Sequence, residues 1–221
     1  MSKSTRYIPA LSFRWLTPLY DPILKWVMRE ETFKRRLIRQ ASIRAGMQVL
    51  DLGCGTGTLT VMLKQAHPHA HVTGLDGDPQ VLKIAREKSR SMDIHWKEGF
   101  ASSLPYPNAT FDRVVTSLVI HHLVTDDKRR AFQEIYRVLK PQGELYVLDF
   151  GAPHSLLARL ITSYMHGLEE AADNFDGWIP QFIAEAGFRS VREVENFVTV
   201  FGPLSLWQVV KGEVESIQKS E

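Results

Sequence analysis

Cysteine is almost absent from this chain of 221 residues, in which Cys54 is the only one. A single thiol excludes an internal disulfide framework and a cysteine-rich metal site, and it suits a reducing compartment. We therefore predict a cytoplasmic protein that uses no metal.

Long apolar runs are absent as well. No stretch approaches the roughly 18 consecutive apolar residues of a membrane span, and the N-terminus shows no hydrophobic core of a signal peptide. With 44% hydrophobic residues the chain suits one globular domain with at most a small appendage, and it contains no internal repeat. These features predict a soluble or peripheral protein.

A strong charge imbalance is also missing, since the formal net charge is only +2. The distribution is uneven, because residues 1–50 hold ten Lys or Arg against three Asp or Glu, whereas the remainder is acidic. An acidic body argues against a nucleic-acid partner. The basic segment either meets an anionic surface or forms an ordinary solvated helix face.

A glycine-rich stretch is the strongest local signal in the sequence. An apolar strand predicted over residues 47–52 ends in Asp51-Leu52, then glycines follow at alternate positions 53, 55 and 57 before a helix predicted over 57–66. Glycines allow the backbone to approach a ligand where a Cβ atom would collide. The alternative is an ordinary strand-to-helix turn.

The rest of the chain alternates between predicted strands and helices. This pattern predicts a Rossmann-like, doubly wound α/β sheet of seven strands, mostly parallel with an antiparallel C-terminal hairpin. We expect strands at 71–76, 93–97, 111–118, 144–150, 189–201 and 204–211 and helices at 79–91 and 126–139, with turns at 140–143 and 202–203.

Two flanking segments complete the predicted organisation around a main domain of residues 46–221. Residues 153–187 read as helical with an interruption near 173–176, so that 153–175 form a helical cap insertion. Residues 1–45 form an N-terminal segment with helices near 10–16, 22–29 and 31–41. Aromatic and basic residues interleave over 7–43, which fits a lid over a ligand, contact with an anionic membrane surface, or packing on the sheet.

Asp76 lies nineteen residues beyond the last glycine of the turn, at the end of the second predicted strand. A carboxylate at that place accepts hydrogen bonds from the two hydroxyls of a ribose, although it also suits a simple turn before Gly77. A dinucleotide fingerprint needs another glycine spacing, and Asp51 would repel a pyrophosphate. A carboxylate at this place instead suits a ligand that carries an ammonium group. This favours S-adenosyl-L-methionine over a nicotinamide cofactor.

Several consecutive motifs resemble those of class I S-adenosylmethionine (SAM)-dependent methyltransferases, particularly the small-molecule group related to the ubiquinone and menaquinone C-methyltransferases. They lie at residues 49–57, 74–76, 104–106, 111–115 and 134–145. The resemblance implies that Asp76 holds the ribose and that other residues hold the methionine part and the adenine. Cofactor-binding candidates are Asp51, Gly53, Cys54, Gly55, Gly57, Asp76, Gly77, Asp78, Gly99, Phe100, Ala101 and Ser117.

The sequence departs from that group at two places. Phe100 stands where the group usually has an acid for the adenine amino group, and residues 117–123 read Ser-Leu-Val-Ile-His-His-Leu after the fourth strand. His121 and His122 follow the strand end where the methyl group should emerge, so either is a candidate base for a phenol or amine. Helix capping or packing is their alternative role.

The substrate side is less defined by the sequence. Candidate substrate contacts are Trp15, Tyr20, His154 and Tyr164, and the apolar, aromatic character of both flanking segments predicts a small, lipophilic acceptor methylated at O, C or N. A phospholipid-amine N-methyltransferase is the alternative within the class. An NAD-dependent oxidoreductase and a catalytically silent SAM-binding partner subunit are alternatives from other classes.

Overall fold

The computed structural model describes residues 30–154, 172–199 and 202–212. Two helices predicted near 10–16 and 22–29 lie outside the described residues, as does most of the predicted helical cap. No helix of the described part is long and apolar enough to cross a membrane.

Seven strands form one mixed sheet with the order β3-β2-β1-β4-β5-β7-β6. Strands β1 to β5 run parallel, and β7 lies antiparallel between β5 and β6. The predicted doubly wound sheet with an antiparallel C-terminal pair is therefore confirmed. The strands are β1 Gln48–Leu52, β2 His71–Asp76, β3 Ile94–Glu98, β4 Phe111–Ser117, β5 Leu139–Phe150, β6 Ser190–Thr199 and β7 Gly202–Val210.

Six helices of the described residues cover the two faces of the sheet. They are α1 Glu30–Gln40, α2 Thr58–Ala66, α3 Pro79–Lys88, α4 Thr125–Val138, α5 Ala172–Phe175 and α6 Ile179–Glu185. Apolar residues of α1 and α2 pack with Val49 and Tyr146 on one face. Those of α4 and α6 pack with Leu50 and Val147 on the other. Because adjacent strand residues point to opposite faces, both faces bury an apolar row, as a doubly wound sheet requires.

Helix α1 is the described part of the N-terminal segment, and it packs on the sheet. Phe33 and Leu37 are buried in the first apolar cluster, and the Phe33 ring lies 6.2 Å from that of Phe197 in β6. The end of the helix is fixed by Arg113 of β4, which donates from Nε to the carbonyl of Ala41 at 2.9 Å. Packing on the sheet, one of the three interpretations of this segment, thus describes α1.

The predicted turn at 140–143 lies within the assigned bounds of β5, Leu139–Phe150, and forms a bulge in that strand. Leu139 pairs with Phe111 and Glu144 with Arg113, so residues 140–143 have no pairing partner in β4. Gln142 adopts a left-handed backbone (φ 62°), and hydrogen bonds of Gln142 and Gly143 with Lys211 hold the bulge in place. The local turn signal of Pro-Gln-Gly is therefore realised inside the strand.

Two smaller boundaries also differ from the prediction. Residues 202–203, predicted as a turn, belong to β7, where Pro203 pairs with Val198. The predicted interruption near 173–176 contains the short helix α5, which Phe175 anchors in the core. Asp173 there accepts a hydrogen bond from Thr125 at 2.6 Å, so a long-range contact stabilises a turn of helix that the sequence does not signal.

Arg113 offers a test of how the sheet carries α1. Its side chain is buried, and it pairs with Glu144 at 2.8 Å as well as with Ala41. Replacing it by Ala removes the cationic partner of the largely buried Glu144 carboxylate and the donor to the Ala41 carbonyl, so we expect the free energy of unfolding to fall by about 3 kcal/mol in urea titrations. Arg35→Ala removes only the exposed pair with Glu31 and should cost less than about 0.5 kcal/mol. Equal effects would contradict this anchoring role.

Candidate functional site

The carboxyl ends of four neighbouring strands meet at one edge of the sheet and carry polar side chains. Asp51 comes from β1, Asp76 from β2, Ser117 from β4 and Asp149 from β5. Because parallel strands end at the same edge, side chains distant in sequence form one continuous row. Asp51, Asp76 and Ser117 were predicted there as binding residues.

The glycine turn after β1 packs closely against other residues on one side and borders open space on the other. A Cβ atom at Gly53 would lie 2.4 Å from Val119, and one at Gly57 would lie 2.5 Å from the Trp96 ring. Both positions therefore need glycine for internal packing. At Gly55 (φ 53°) no atom lies within 4 Å of such a Cβ, so this residue borders open space where a ligand can approach.

Asp76 connects β2 to the glycine turn. One carboxylate oxygen accepts the Gly55 N–H at 2.8 Å, and the other accepts the Asp78 N–H at 2.9 Å. Burial raises the pKa of Asp76, although these backbone hydrogen bonds act against it. A carboxylate offers about four acceptor positions, so not all of them are occupied and a ribose hydroxyl can still bind.

Asp51 is almost fully buried beside the turn. Its carboxylate accepts a hydrogen bond from the Thr60 hydroxyl at 2.6 Å. Burial raises the pKa of Asp51 to about 6, while the Thr60 bond and the positive charge of Lys34 lower it. An incoming ammonium group would favour the charged form, because an opposite charge offsets desolvation.

The rim beyond β2 and β3 is formed by small residues and one ring. The side chain of Phe100 is 45% exposed, and a Cβ atom at Gly77 would lie 2.8 Å from it. Asp78 caps α3 by accepting the Gln80 N–H at 2.8 Å. Gly99 binds the Asp76 carbonyl through its N–H, and Ala101 packs against the second apolar cluster.

A strained turn follows β4. Leu118 adopts a left-handed backbone with φ 59°, which is unfavourable for a residue with a branched side chain. Asp149 holds the next residues in place, since it accepts the N–H groups of Val119 at 3.0 Å and Ile120 at 2.8 Å. Ser117, just before this turn, has a buried Oγ with no hydrogen-bond partner among the described residues.

The two predicted histidines lie in that turn and differ in environment. His121 is buried, and its Nδ1 lies 2.8 Å from Oδ1 of Asp149. His122 is half-buried, with its ring centroid 3.9 Å from that of His121. Burial, followed by repulsion from His121, lowers the pKa of His122 to about 4. Asp149 has a lowered pKa because His121 and backbone donors outweigh the burial that would raise it.

The other predicted site residues are placed as follows. His154 follows β5 and contacts Glu193 through Nε2 at 3.0 Å, with its side chain half-exposed. Cys54 is buried within the glycine turn, and burial raises the pKa of its thiol, so packing is its role there. Trp15, Tyr20 and Tyr164 lie outside the described residues.

Comparison with known proteins assigns the family. The methyltransferase domain family matches residues 49–143. Over 219 residues the chain is 31% identical to a demethylmenaquinone methyltransferase of Listeria monocytogenes, a match that covers 83% of this chain and 88% of that protein. The chain belongs to the class I SAM-dependent methyltransferases, in the quinone-methyltransferase group.

Two further matches agree with this assignment. A demethylmenaquinone methyltransferase of Thermus thermophilus is 36% identical over 145 residues, which span 64% of this chain and 65% of that protein. The fold resembles a chain from the complex between the Haloferax volcanii Trm112 methyltransferase activator and a methyltransferase. That alignment has a TM-score of 0.70 and 18% identity, and it covers 90% of this chain and 96% of the other.

SAM is the cofactor of this methyltransferase, and the geometry fits it. The open space at Gly55 admits a ligand backbone, and Asp51 supplies a buried carboxylate for an ammonium group. Asp76 keeps acceptor positions for a ribose, and the orphaned Ser117 hydroxyl lies at the same edge.

Some residues of the site were not predicted. Asn174 of α5 is fully buried and donates from Nδ2 to Asp149 at 3.1 Å. Lys34 and Thr60 act on Asp51 from two different helices. None of these has a motif, and Asn174 falls in the segment predicted as an interruption, so only the fold brings them together.

The pKa of Asp51 predicts how cofactor binding depends on pH. A carboxylate with a pKa of about 6 becomes protonated as the pH falls and then no longer attracts an ammonium group. We expect the Kd of S-adenosylhomocysteine, measured by calorimetry, to be flat above pH 7 and to rise up to about tenfold per unit below pH 6.

Asp51→Asn provides the control for this assignment. The amide cannot titrate, so binding should be weaker at neutral pH and almost independent of pH between 7 and 5. A variant that keeps the steep pH dependence would assign the titration to Asp76, whose pKa is also raised, and would contradict the role given to Asp51.

Proposed function

We propose that this SAM-dependent methyltransferase methylates a quinol-like ring and that His121 is its base. The observation that carries the proposal is the contact of His121 with the buried Asp149, at the edge where Asp51 and Asp76 frame the glycine turn. The demethylmenaquinone methyltransferases among its relatives support an acceptor of this class.

The proposed cofactor pose follows the row of carboxylates. Asp51 would hold the ammonium group of the methionine part, Asp76 the ribose hydroxyls, and the rim formed by Gly77 and Phe100 the base. The methyl group would then face the turn after β4, where Ser117 and the histidines lie. Bound SAM supplies an electrophilic methyl group, whose bond to sulfur breaks as the acceptor's electron pair forms the new bond.

The choice between the histidines rests on which one can carry a positive charge. A base becomes cationic when it takes a proton, and Asp149 lies within hydrogen-bond distance of His121 to stabilise that charge. His122 has a pKa of about 4, so it remains neutral over the physiological range. We assign the proton of the acceptor hydroxyl to Nε2 of His121, and contact with the acceptor ring to His122.

Asp149 orients the base in this proposal. With Nδ1–H donated to its carboxylate, the imidazole presents Nε2 as the free acceptor. The same carboxylate also accepts Asn174 at 3.1 Å and the Phe150 N–H at 2.8 Å, so it is fixed from both sides. The imidazole is thereby fixed in orientation before the acceptor arrives.

The basic, aromatic composition of residues 7–43 supports contact with an anionic membrane surface that delivers a lipophilic acceptor. Support comes from α1, whose Lys34 acts electrostatically on Asp51 and so lies near the cofactor edge. Residues 7–29 directly precede this helix. Binding to vesicles of phosphatidylglycerol but not of phosphatidylcholine is the expected result in a sedimentation assay.

Labelled SAM and a panel of extracted lipids, quinols and phenols test the acceptor class. We expect transfer of label to demethylated quinols, and to the ring rather than to a phospholipid headgroup, when the products are separated and fragmented by mass spectrometry. Label on phosphatidylethanolamine alone would replace the proposal with phospholipid-amine methylation.

Substitution of each histidine tests the base. His121→Ala and His121→Gln should lower kcat by about 100-fold or more, because general-base catalysis of this kind contributes at least that factor. His121→Gln retains a donor for Asp149 and guards against a folding defect. His122→Ala should lower kcat less than tenfold, and all three should bind S-adenosylhomocysteine normally by calorimetry. The reverse order of effects would assign the base to His122, and three active variants would exclude a histidine base.

A further inference from the structure

The rim beyond Asp76 receives whatever base is attached to the ribose. It consists of Gly77 and Asp78 after β2 and residues 99–103 after β3, which bring one aromatic ring and otherwise only small side chains. The rim is fixed by the backbone, since Gly99 donates to the Asp76 carbonyl at 3.0 Å and Ser103 donates to the Phe100 carbonyl at 3.1 Å. Its shape is therefore set before a ligand arrives.

Phe100 dominates this rim. One part of the ring lies against Gly77, where even a Cβ atom would come within 2.8 Å, and the side chain is still 45% exposed. The exposed part of the ring is open to contact by a ligand bound at Asp76. A flat heteroaromatic base is a suitable partner, because ring contacts with a nucleobase contribute about 1–3 kcal/mol.

The loop after β3 supplies no carboxylate for the edge of that base. Residues 99–103 read Gly-Phe-Ala-Ser-Ser and contain no acid. Asp78 already accepts the Gln80 N–H as the cap of α3. Glu98 precedes Gly99 at the end of β3. It lies two residues after Trp96 and so on the same face of the strand as Trp96, which packs against the glycine turn.

We propose that Phe100 determines nucleobase specificity: its ring holds the base of the cofactor by contact, and the enzyme therefore discriminates only weakly at the exocyclic amino group. This inference rests on the cofactor pose of the proposed function, with the ribose at Asp76. Contact between rings depends on area and polarisability and tolerates a changed substituent. A charged hydrogen-bond acceptor instead rejects an analogue that lacks its donor.

Two ligands and four variants test the proposal by calorimetry, without an activity assay. The ligands are S-adenosylhomocysteine and its analogue with hydrogen in place of the amino group, which keeps the ring acceptors unchanged. For the wild-type protein we expect the two Kd values to agree within about threefold. Phe100→Asp should create a preference of about tenfold or more for the amino-bearing ligand, because it supplies a charged acceptor.

Phe100→Ala should weaken both ligands by about tenfold and leave their ratio unchanged. Val198→Ala is the matched control, since it removes an apolar side chain that is 54% exposed on β6 at the opposite edge of the sheet. It should bind both ligands like the wild type. Melting curves of the unliganded variants show whether each is folded.

Two outcomes overturn the proposal. A wild-type preference above tenfold for the amino-bearing ligand would show that another group, such as Glu98 or Asp78, reads that substituent. Normal affinity of Phe100→Ala for both ligands would show that the ring does not contact the base. Asp76→Ala tests the cofactor pose separately from the role of Phe100. If it weakens the binding of both ligands by about tenfold or more, the ribose lies at Asp76. Unchanged binding would contradict the pose itself.

Discussion

The buried carboxylate of Asp149 is the contact on which the whole site depends. It accepts five N–H donors: the backbone of Val119, Ile120 and Phe150, the ring of His121 and the amide of Asn174. Those bonds hold the turn after β4 although Leu118 adopts an unfavourable left-handed backbone. The side chain of Val119 then fills the space that a Cβ atom at Gly53 would need. One charge at the end of β5 thus positions both the proposed base and the glycine turn of the cofactor site.

Local sequence encodes the part of the site that depends on spacing along the chain. The strand, the alternate glycines and Asp76 lie within one strand-helix-strand unit, so their roles follow from geometry that a short segment specifies. The fold follows from the same alternation, repeated along the chain. The order of the strands and the carboxyl edge that they share are consequences of that repetition, which is why Asp51, Asp76 and Ser117, predicted on three different strands, lie at one edge.

Contacts between distant segments are what the sequence does not reveal. Asn174 reaches Asp149 across 25 residues, and the turn at 140–143 is held by Lys211, the residue after β7. Neither contact has a local signal. The sequence does not indicate the strain at Leu118 either. A left-handed backbone normally occurs at glycine or asparagine, whereas here tertiary hydrogen bonds impose it on leucine.

Two buried carboxylates at the same edge have opposite environments, and this difference suits them to different roles. Burial raises the pKa of Asp51 to about 6, and Thr60 is its one hydrogen-bonding side chain among the described residues. Asp149 has a lowered pKa, because His121 and the surrounding donors outweigh its burial. A carboxylate whose charge is poorly compensated gains most from a further cationic ligand, whereas Asp149, which already accepts His121 and four other donors, serves as a fixed anchor. An ammonium group bound at Asp51 would therefore compensate its buried charge and favour cofactor binding. The hydrogen bonds of Asp149 hold the proposed base in place whether or not a ligand is bound.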